Sequence, residues 1–190
     1  MIDTVEVKSF LSPAECAALR QELRQAAGAH ATVLSPDPAG EVKPLVRRTS
    51  RMSVPANIAA QITARLMQQK PALAQRFGHA LSACEPPQFL RYLPGDFFVA
   101  HQDGNTPLIH DRSRFRKVSA VIFLSAFSEA PAPDTYGGGA LMLHGPYAGP
   151  ELRVALTPPP GTLVAFRAET THEVLPVTHG ERLTIVSWYR

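Results

Sequence analysis

Apolar positions recur along this chain with two different periods, and the change falls near Pro87. Before it, residues 4–8 alternate as a strand does. Ser12, Pro13 and Glu15 have the pattern of an N-cap, a first-turn proline and a capping box. Cys16, Leu19 and Leu23 follow at helical spacing, and Gly28 is expected to end that helix. Pro36, Pro38, Gly40 and Pro44 make 31–44 a loop, and 45–54 reads as extended. Ile58, Ile62, Leu66, Leu73 and Phe77 keep the helical period across 55–81, with a break expected near Pro71.

After Pro87, short β-branched and aromatic runs alternate with Pro and Gly. They predict strands near 88–93, 97–103, 117–127, 140–144, 152–156, 162–167, 171–176 and 182–189. So many short strands in succession indicate a sandwich or barrel rather than a parallel βαβ sheet. Residues 129–139 read as a surface loop and 178–181 as a turn. The expected class is mainly β with N-terminal helices (α+β).

Composition narrows the picture. A length of 190 residues suits one domain, and 45% hydrophobic with 18% charged residues is globular composition. The apolar runs are too short to span a membrane, and Met1–Glu6 carries no apolar signal core, so a cytoplasmic location is expected. Two cysteines, Cys16 and Cys84, make neither a disulfide framework nor a cysteine zinc site. The net charge of +3 does not call for nucleic acid. Arg47, Arg48 and Arg51 form one basic cluster, and Arg112, Arg114, Arg116 and Lys117 another. Each reads as a solvated face or, alternatively, as the wall of an anionic site.

The chemistry is concentrated in the strand-rich part. In an extended strand, His101 and Asp103 point to one side and aim an imidazole and a carboxylate at a common point. His172 is the candidate third ligand. His179 competes, but it lies in a turn beside Gly180. Two histidines and one carboxylate leave coordination positions open, which suits a non-haem Fe(II) centre that activates oxygen. Arg182, Thr184, Val186 and Trp188 share one face of the last strand, expected to be the face that carries His172. An inward-facing arginine needs an anion, either an internal carboxylate or a ligand, and its planar fork pairs a carboxylate through two bonds. His30 and His110 fall in polar loops, His79 at a helix end and His144 at a strand end.

Three stretches carry a more specific resemblance. They are Phe89–Gly95 followed by His101-Gln-Asp103, then Tyr136-Gly-Gly-Gly-Ala-Leu141, then His172 through Arg182 to Trp188-Tyr189. In this order, residues 86–190 resemble the catalytic core of the Fe(II)/2-oxoglutarate-dependent oxygenases, in the prolyl 4-hydroxylase-like branch. The closest likeness of the motifs is to the hypoxia-factor hydroxylases, and the helix after Ser12 resembles the family's leading helix more loosely.

The resemblance implies a double-stranded β-helix (jelly-roll, cupin-like) core over 86–190, supported by helices in 1–85, as one oxygenase domain. It implies Fe(II) held by His101, Asp103 and His172, with 2-oxoglutarate, molecular oxygen and ascorbate as co-substrate, oxidant and reductant. Arg182 would pair the distal carboxylate of 2-oxoglutarate, with Tyr92 and Thr184 as further hydroxyl partners. Leu141 and Trp188 would line the pocket or belong to the core. Arg116 matches a residue that contacts peptide substrate. Where the relatives carry a second co-substrate tyrosine, this chain has Phe123.

The reaction implied is hydroxylation coupled to decarboxylation of 2-oxoglutarate, on prolyl residues of a peptide or protein, or on a free amino acid or small metabolite. A non-catalytic 2-oxoglutarate- or metal-binding module is the alternative of another class. Neither membrane nor nucleic acid is expected as partner. The loops 104–116 and 45–51 are the expected substrate walls.

Overall fold

A computed structural model describes residues 2–33, 41–106, 111–145 and 152–190. Strand β1 (Thr4–Val7) leads into helix α1 (Pro13–Gln25). The helix starts as its sequence dictates: Ser12 Oγ accepts from the Glu15 amide, and the Glu15 carboxylate accepts from the Ser12 amide at 2.7 Å. It ends at Gln25 with Ala26 as its cap, earlier than Gly28, which instead opens strand β2 (Gly28–His30). Short strands β3 (Arg47–Arg48) and β4 (Ser50–Met52) follow, then helix α2 (Ala56–Phe77).

Pro71 lies inside α2 without ending it. An interior proline costs about 3 kcal/mol. Ile62 and Leu66 before it, and Leu73 and Phe77 after it, are all buried in the same core. Each such side chain returns about 1.5–3 kcal/mol on burial, so packing overrides the local preference. Tyr189 Oη also donates to the Leu66 carbonyl at 2.7 Å, in the turn before the proline.

The remaining strands are β5 (Gln88–Tyr92), β6 (Phe97–His101), β7 (Val118–Phe123), β8 (Ala126–Phe127), β9 (Thr135–Gly138), β10 (Leu141–His144), β11 (Arg153–Leu156), β12 (Leu163–Arg167), β13 (His172–Val174), β14 (Val177–Gly180) and β15 (Arg182–Tyr189). They form a seven-stranded sheet in the order β1-β12-β7-β15-β5-β4-β2 and a five-stranded sheet in the order β11-β10-β13-β6-β3. A three-stranded sheet, β14-β9-β8, completes the set. The protein is thus mainly β with two α-helices among the described residues. Residues before 86 supply strands to both larger sheets.

The central strands of the large sheet are buried on both faces, and alternation sorts their side chains. Ala120, Ile122, Leu163, Ala165, Leu183 and Ile185 join the core that includes α1 and α2. Val121, Phe123, Val164 and Phe166 turn the other way and meet Leu141 and Leu143 of β10. Leu90 and Tyr92 meet Val174 and Val177 in the same manner. The two larger sheets therefore pack face to face, and the site forms between them.

Two further expectations are corrected. The segment 129–139 is not all surface loop, because it contains β9, paired with β14 and β8. The supposed turn at 178–181 largely belongs to β14. Glycines hid β9 from a propensity reading. At Gly137 any Cβ would overlap the His179 ring, so this strand needs a residue type that strands normally avoid.

Candidate metal and co-substrate site

His101 closes β6 and His172 opens β13, and the two are direct partners in the antiparallel register. Their rings lie side by side with centroids 4.2 Å apart. Asp103 is just past the end of β6, not on it as the predicted strand over 97–103 has it. Its amide donates to the Ala168 carbonyl at 2.9 Å, which turns the side chain toward the two rings. Asp103 Oδ2 is 3.3 Å from His172 Nε2, and Oδ1 is 3.6 Å from His101 Nε2. One ligand atom from each of the three residues falls within 4.8 Å of the others.

The tautomers are set by the backbone. His101 Nδ1 donates to the Val99 carbonyl at 2.8 Å and His172 Nδ1 to the Thr170 carbonyl at 2.9 Å. Both Nε2 lone pairs are left for a shared cation, the arrangement found around metal-bound imidazoles. Phe98 stacks on His101 and Phe166 meets the edge of His172, which holds both rings in place.

Electrostatics agree with a cation site. Burial pushes the Asp103 carboxyl up, but the two neighbouring imidazoles overcome it and hold the group well below the ordinary range. His101 is lowered by burial and by the charge of His172. Burial lowers His172 too, but the Asp103 carboxylate prevails and raises it. The cluster thus holds a buried negative charge, which favours a cation beside it.

Ser119, on the inward face of β7, donates its hydroxyl to Asp103 Oδ2 at 2.7 Å. Substituting Ser119→Ala leaves that oxygen free to swing. We expect Fe(II) affinity to fall by about tenfold, as for lost partners of metal ligands, with Ser119→Thr restoring it. Competition with a chromogenic chelator measures this.

Arg182 begins β15 on the inward face of the large sheet, opposite Tyr92 of β5. It is 1% exposed, and its guanidinium carbon lies 5.1 Å from the Tyr92 ring and 5.3 Å from the Phe123 ring. Its one hydrogen bond among the described residues is from Nη1 to Thr184 Oγ1, at 3.4 Å. Nε and Nη2 are buried with no hydrogen-bond partner among the described residues. A buried guanidinium with two free donors is suited to pair a carboxylate. His172 lies not on this sheet, as the sequence suggested, but on the facing one. The metal cluster and the arginine therefore look into one cavity of about 440 Å³ from opposite walls. An Fe(II) ion at the cluster, and a dicarboxylate reaching from it to Arg182, fit these donors.

The other expected residues are also at this cavity. Tyr92, Thr184, Leu141, Trp188 and Arg116 all line it, as do Arg47 and Arg51. Arg116 is not a free cation. Its Nε and Nη2 grip Glu85 at 2.9 and 2.7 Å, Nη1 approaches the Asp103 carbonyl, and the group lies 3.7 Å above the Trp188 ring. Glu85 also takes Arg190, and these partners hold its carboxyl below the ordinary value despite burial.

A depressed carboxylate stabilises the fold above its unfolded pKa, and that contribution is lost as pH falls through the folded value. Glu85→Gln should therefore cost about 2 kcal/mol in urea unfolding at neutral pH and much less below the carboxylate range. The difference between the two pH values checks the ion pair.

His179 stands apart, on β14 against Gly137, and His144 pairs with Glu173 at 3.0 Å. His79 faces Arg167. His110 and part of the expected substrate loop, 107–110, lie outside the described residues. Sequence reasoning missed Ser119, whose signal would have been its inward register beside Trp188, and Glu85. It also missed Tyr136, which is buried 6.0 Å from the Arg182 guanidinium.

Two facing sheets with a two-histidine, one-carboxylate cluster across a cavity from a buried arginine define a metal-dependent oxygenase scaffold. Residues 87–190 match the family model of the 2OG-Fe(II) oxygenase superfamily, and the chain belongs to that superfamily. A PKHD-type hydroxylase from Paracoccus denitrificans is 30% identical over 191 residues, covering 97% of this chain and 76% of the relative. A PKHD-type hydroxylase from Gluconacetobacter diazotrophicus is 38% identical over 105 residues, covering 54% of this chain and 42% of its own.

Among solved structures, a Pseudomonas putida prolyl-4-hydroxylase is similar with a TM-score of 0.72 and 26% identity, covering 100% of this chain and 94% of that one. A Trichoplax adhaerens prolyl hydroxylase, solved with a hypoxia-inducible-factor peptide, shares the fold with a TM-score of 0.72 at 15% identity, covering 100% and 84%. The protein is accordingly a 2-oxoglutarate-dependent dioxygenase of prolyl 4-hydroxylase-like kind, using Fe(II), 2-oxoglutarate and oxygen.

Proposed function

We propose that the protein hydroxylates prolyl residues in a peptide or protein, as a single oxygenase domain over 1–190 with a double-stranded β-helix core. One observation carries the reading: His101, Asp103 and His172 converge on a cavity that also holds the Arg182 guanidinium, whose Nε and Nη2 have no partner among the described residues. His101, Asp103 and His172 are the iron ligands. Arg182 binds the distal carboxylate of 2-oxoglutarate, with Tyr92 and Thr184 beside it.

When bound, Fe(II) and 2-oxoglutarate supply the oxygen activation that yields succinate, carbon dioxide and a hydroxylated C–H bond. The protein's share is geometry. Backbone carbonyls keep both Nε2 atoms available, Ser119 steadies Asp103, and Leu141, Val174 and Val186 give the cavity part of its apolar lining. Leu141, Trp188 and Arg116 form the wall met by substrate.

Support for prolyl residues as the substrate comes from the likeness to a prolyl-4-hydroxylase. The test is incubation with Fe(II), 2-oxoglutarate, ascorbate and a panel of proline-containing peptides and free amino acids. One added oxygen on a peptide proline is the expected mass change. Oxidation of free amino acids alone would move the enzyme to small-molecule chemistry.

A further inference from the structure

Tyr136 is fully buried, on β9, and its hydroxyl has no hydrogen-bond partner among the described residues. A stranded buried phenol is unfavourable, so its retention asks for a partner that is not part of the protein. Two more stranded donors, Nε and Nη2 of Arg182, belong to the guanidinium 6.0 Å from its ring. The approach of the two side chains depends on Gly139. It has φ +56°, and a Cβ there would come within 3.0 Å of Arg182 Cδ and 3.3 Å of the Tyr136 ring. Phe123, on the other side of the guanidinium, offers a ring and no hydroxyl.

We infer that Tyr136 donates its hydroxyl to the same carboxylate as Arg182, and so acts as a second anchor for the distal end of 2-oxoglutarate. This rests on the reading of Arg182 as the first anchor. β9 thereby supplies, from the three-stranded sheet, the hydroxyl that β7 lacks at Phe123. Burial raises the Tyr136 phenol, with the neighbouring Arg182 guanidinium opposing.

The experiment compares wild type and Tyr136→Phe loaded with Mn(II), by calorimetric titration of 2-oxoglutarate and of 2-oxobutyrate, which has the same 2-oxo acid end without the distal carboxylate. Tyr136→Phe should weaken 2-oxoglutarate roughly ten- to hundredfold and leave 2-oxobutyrate and Mn(II) binding unchanged. Equal loss for both ligands, or no loss for 2-oxoglutarate, overturns the assignment. Failure of the wild type to bind 2-oxoglutarate would instead remove the reading of Arg182. Thermal unfolding without ligand gives an independent check. Removing an unpaired hydroxyl should leave the melting temperature unchanged or higher, and a destabilised or unfolded Tyr136→Phe contradicts the premise that the hydroxyl is unpaired.

Discussion

Asp103→Asn should abolish Fe(II) binding at working concentrations, a loss on the order of a hundredfold or more in affinity, beyond that for lost partners of a ligand. The physical ground is charge as much as geometry. Asp103 is the one carboxylate in the cluster, and both imidazoles depend on it to retain a cation in a buried place. Asparagine keeps the shape and the bond from Ser119 but removes the negative charge. The His172 Nε2 atom then faces a neutral amide and a neighbouring imidazole 4.2 Å away between centroids. Chelator competition and Mn(II) titration both measure the loss, with His179→Ala as the control that should bind metal normally. Binding by Asp103→Asn within a few-fold of wild type would take Asp103 out of the ligand set.

Arg182→Ala should raise the requirement for 2-oxoglutarate by roughly a hundred- to a thousandfold without weakening the metal. Two charge-assisted bonds to a carboxylate in a buried place are each stronger than neutral ones, at about 1.5–3 kcal/mol, and their loss compounds. The Tyr92, Phe123 and Tyr136 rings stand around the guanidinium, and none of them can replace its charge. Lysine should recover only part of the affinity, because it offers a point charge where a planar fork is needed. Succinate formation against 2-oxoglutarate concentration is the measurement. An unchanged requirement in Arg182→Ala would mean that the co-substrate lies elsewhere.

Local pattern made much of this legible. Alternation placed the eight predicted strands within a few residues of their positions, and it put Arg182, Thr184, Val186 and Trp188 on one face, where they line the cavity. The Ser12 capping box was readable because every partner lies within three residues. What was not readable is what depends on partners far along the chain.

The pairing of His101 with His172, and of Tyr92 with Arg182, is a property of strand register between distant segments. The placement of His172 across the cavity from Arg182, rather than beside it, follows from sheet membership, which no local period encodes. β9 was hidden because its glycines are demanded by the His179 ring and other close neighbours, against strand propensity. Pro71 misled in the opposite direction: a local breaker was outweighed by four buried side chains that flank it.

The central claim is tested most directly by a single turnover of purified protein loaded with one Fe(II) and given 2-oxoglutarate and oxygen. Succinate should form in an iron-dependent manner, absent from Asp103→Asn and restored in Arg182→Ala only at greatly raised 2-oxoglutarate. No succinate from folded, iron-loaded wild type would contradict an oxygenase site built from His101, Asp103, His172 and Arg182.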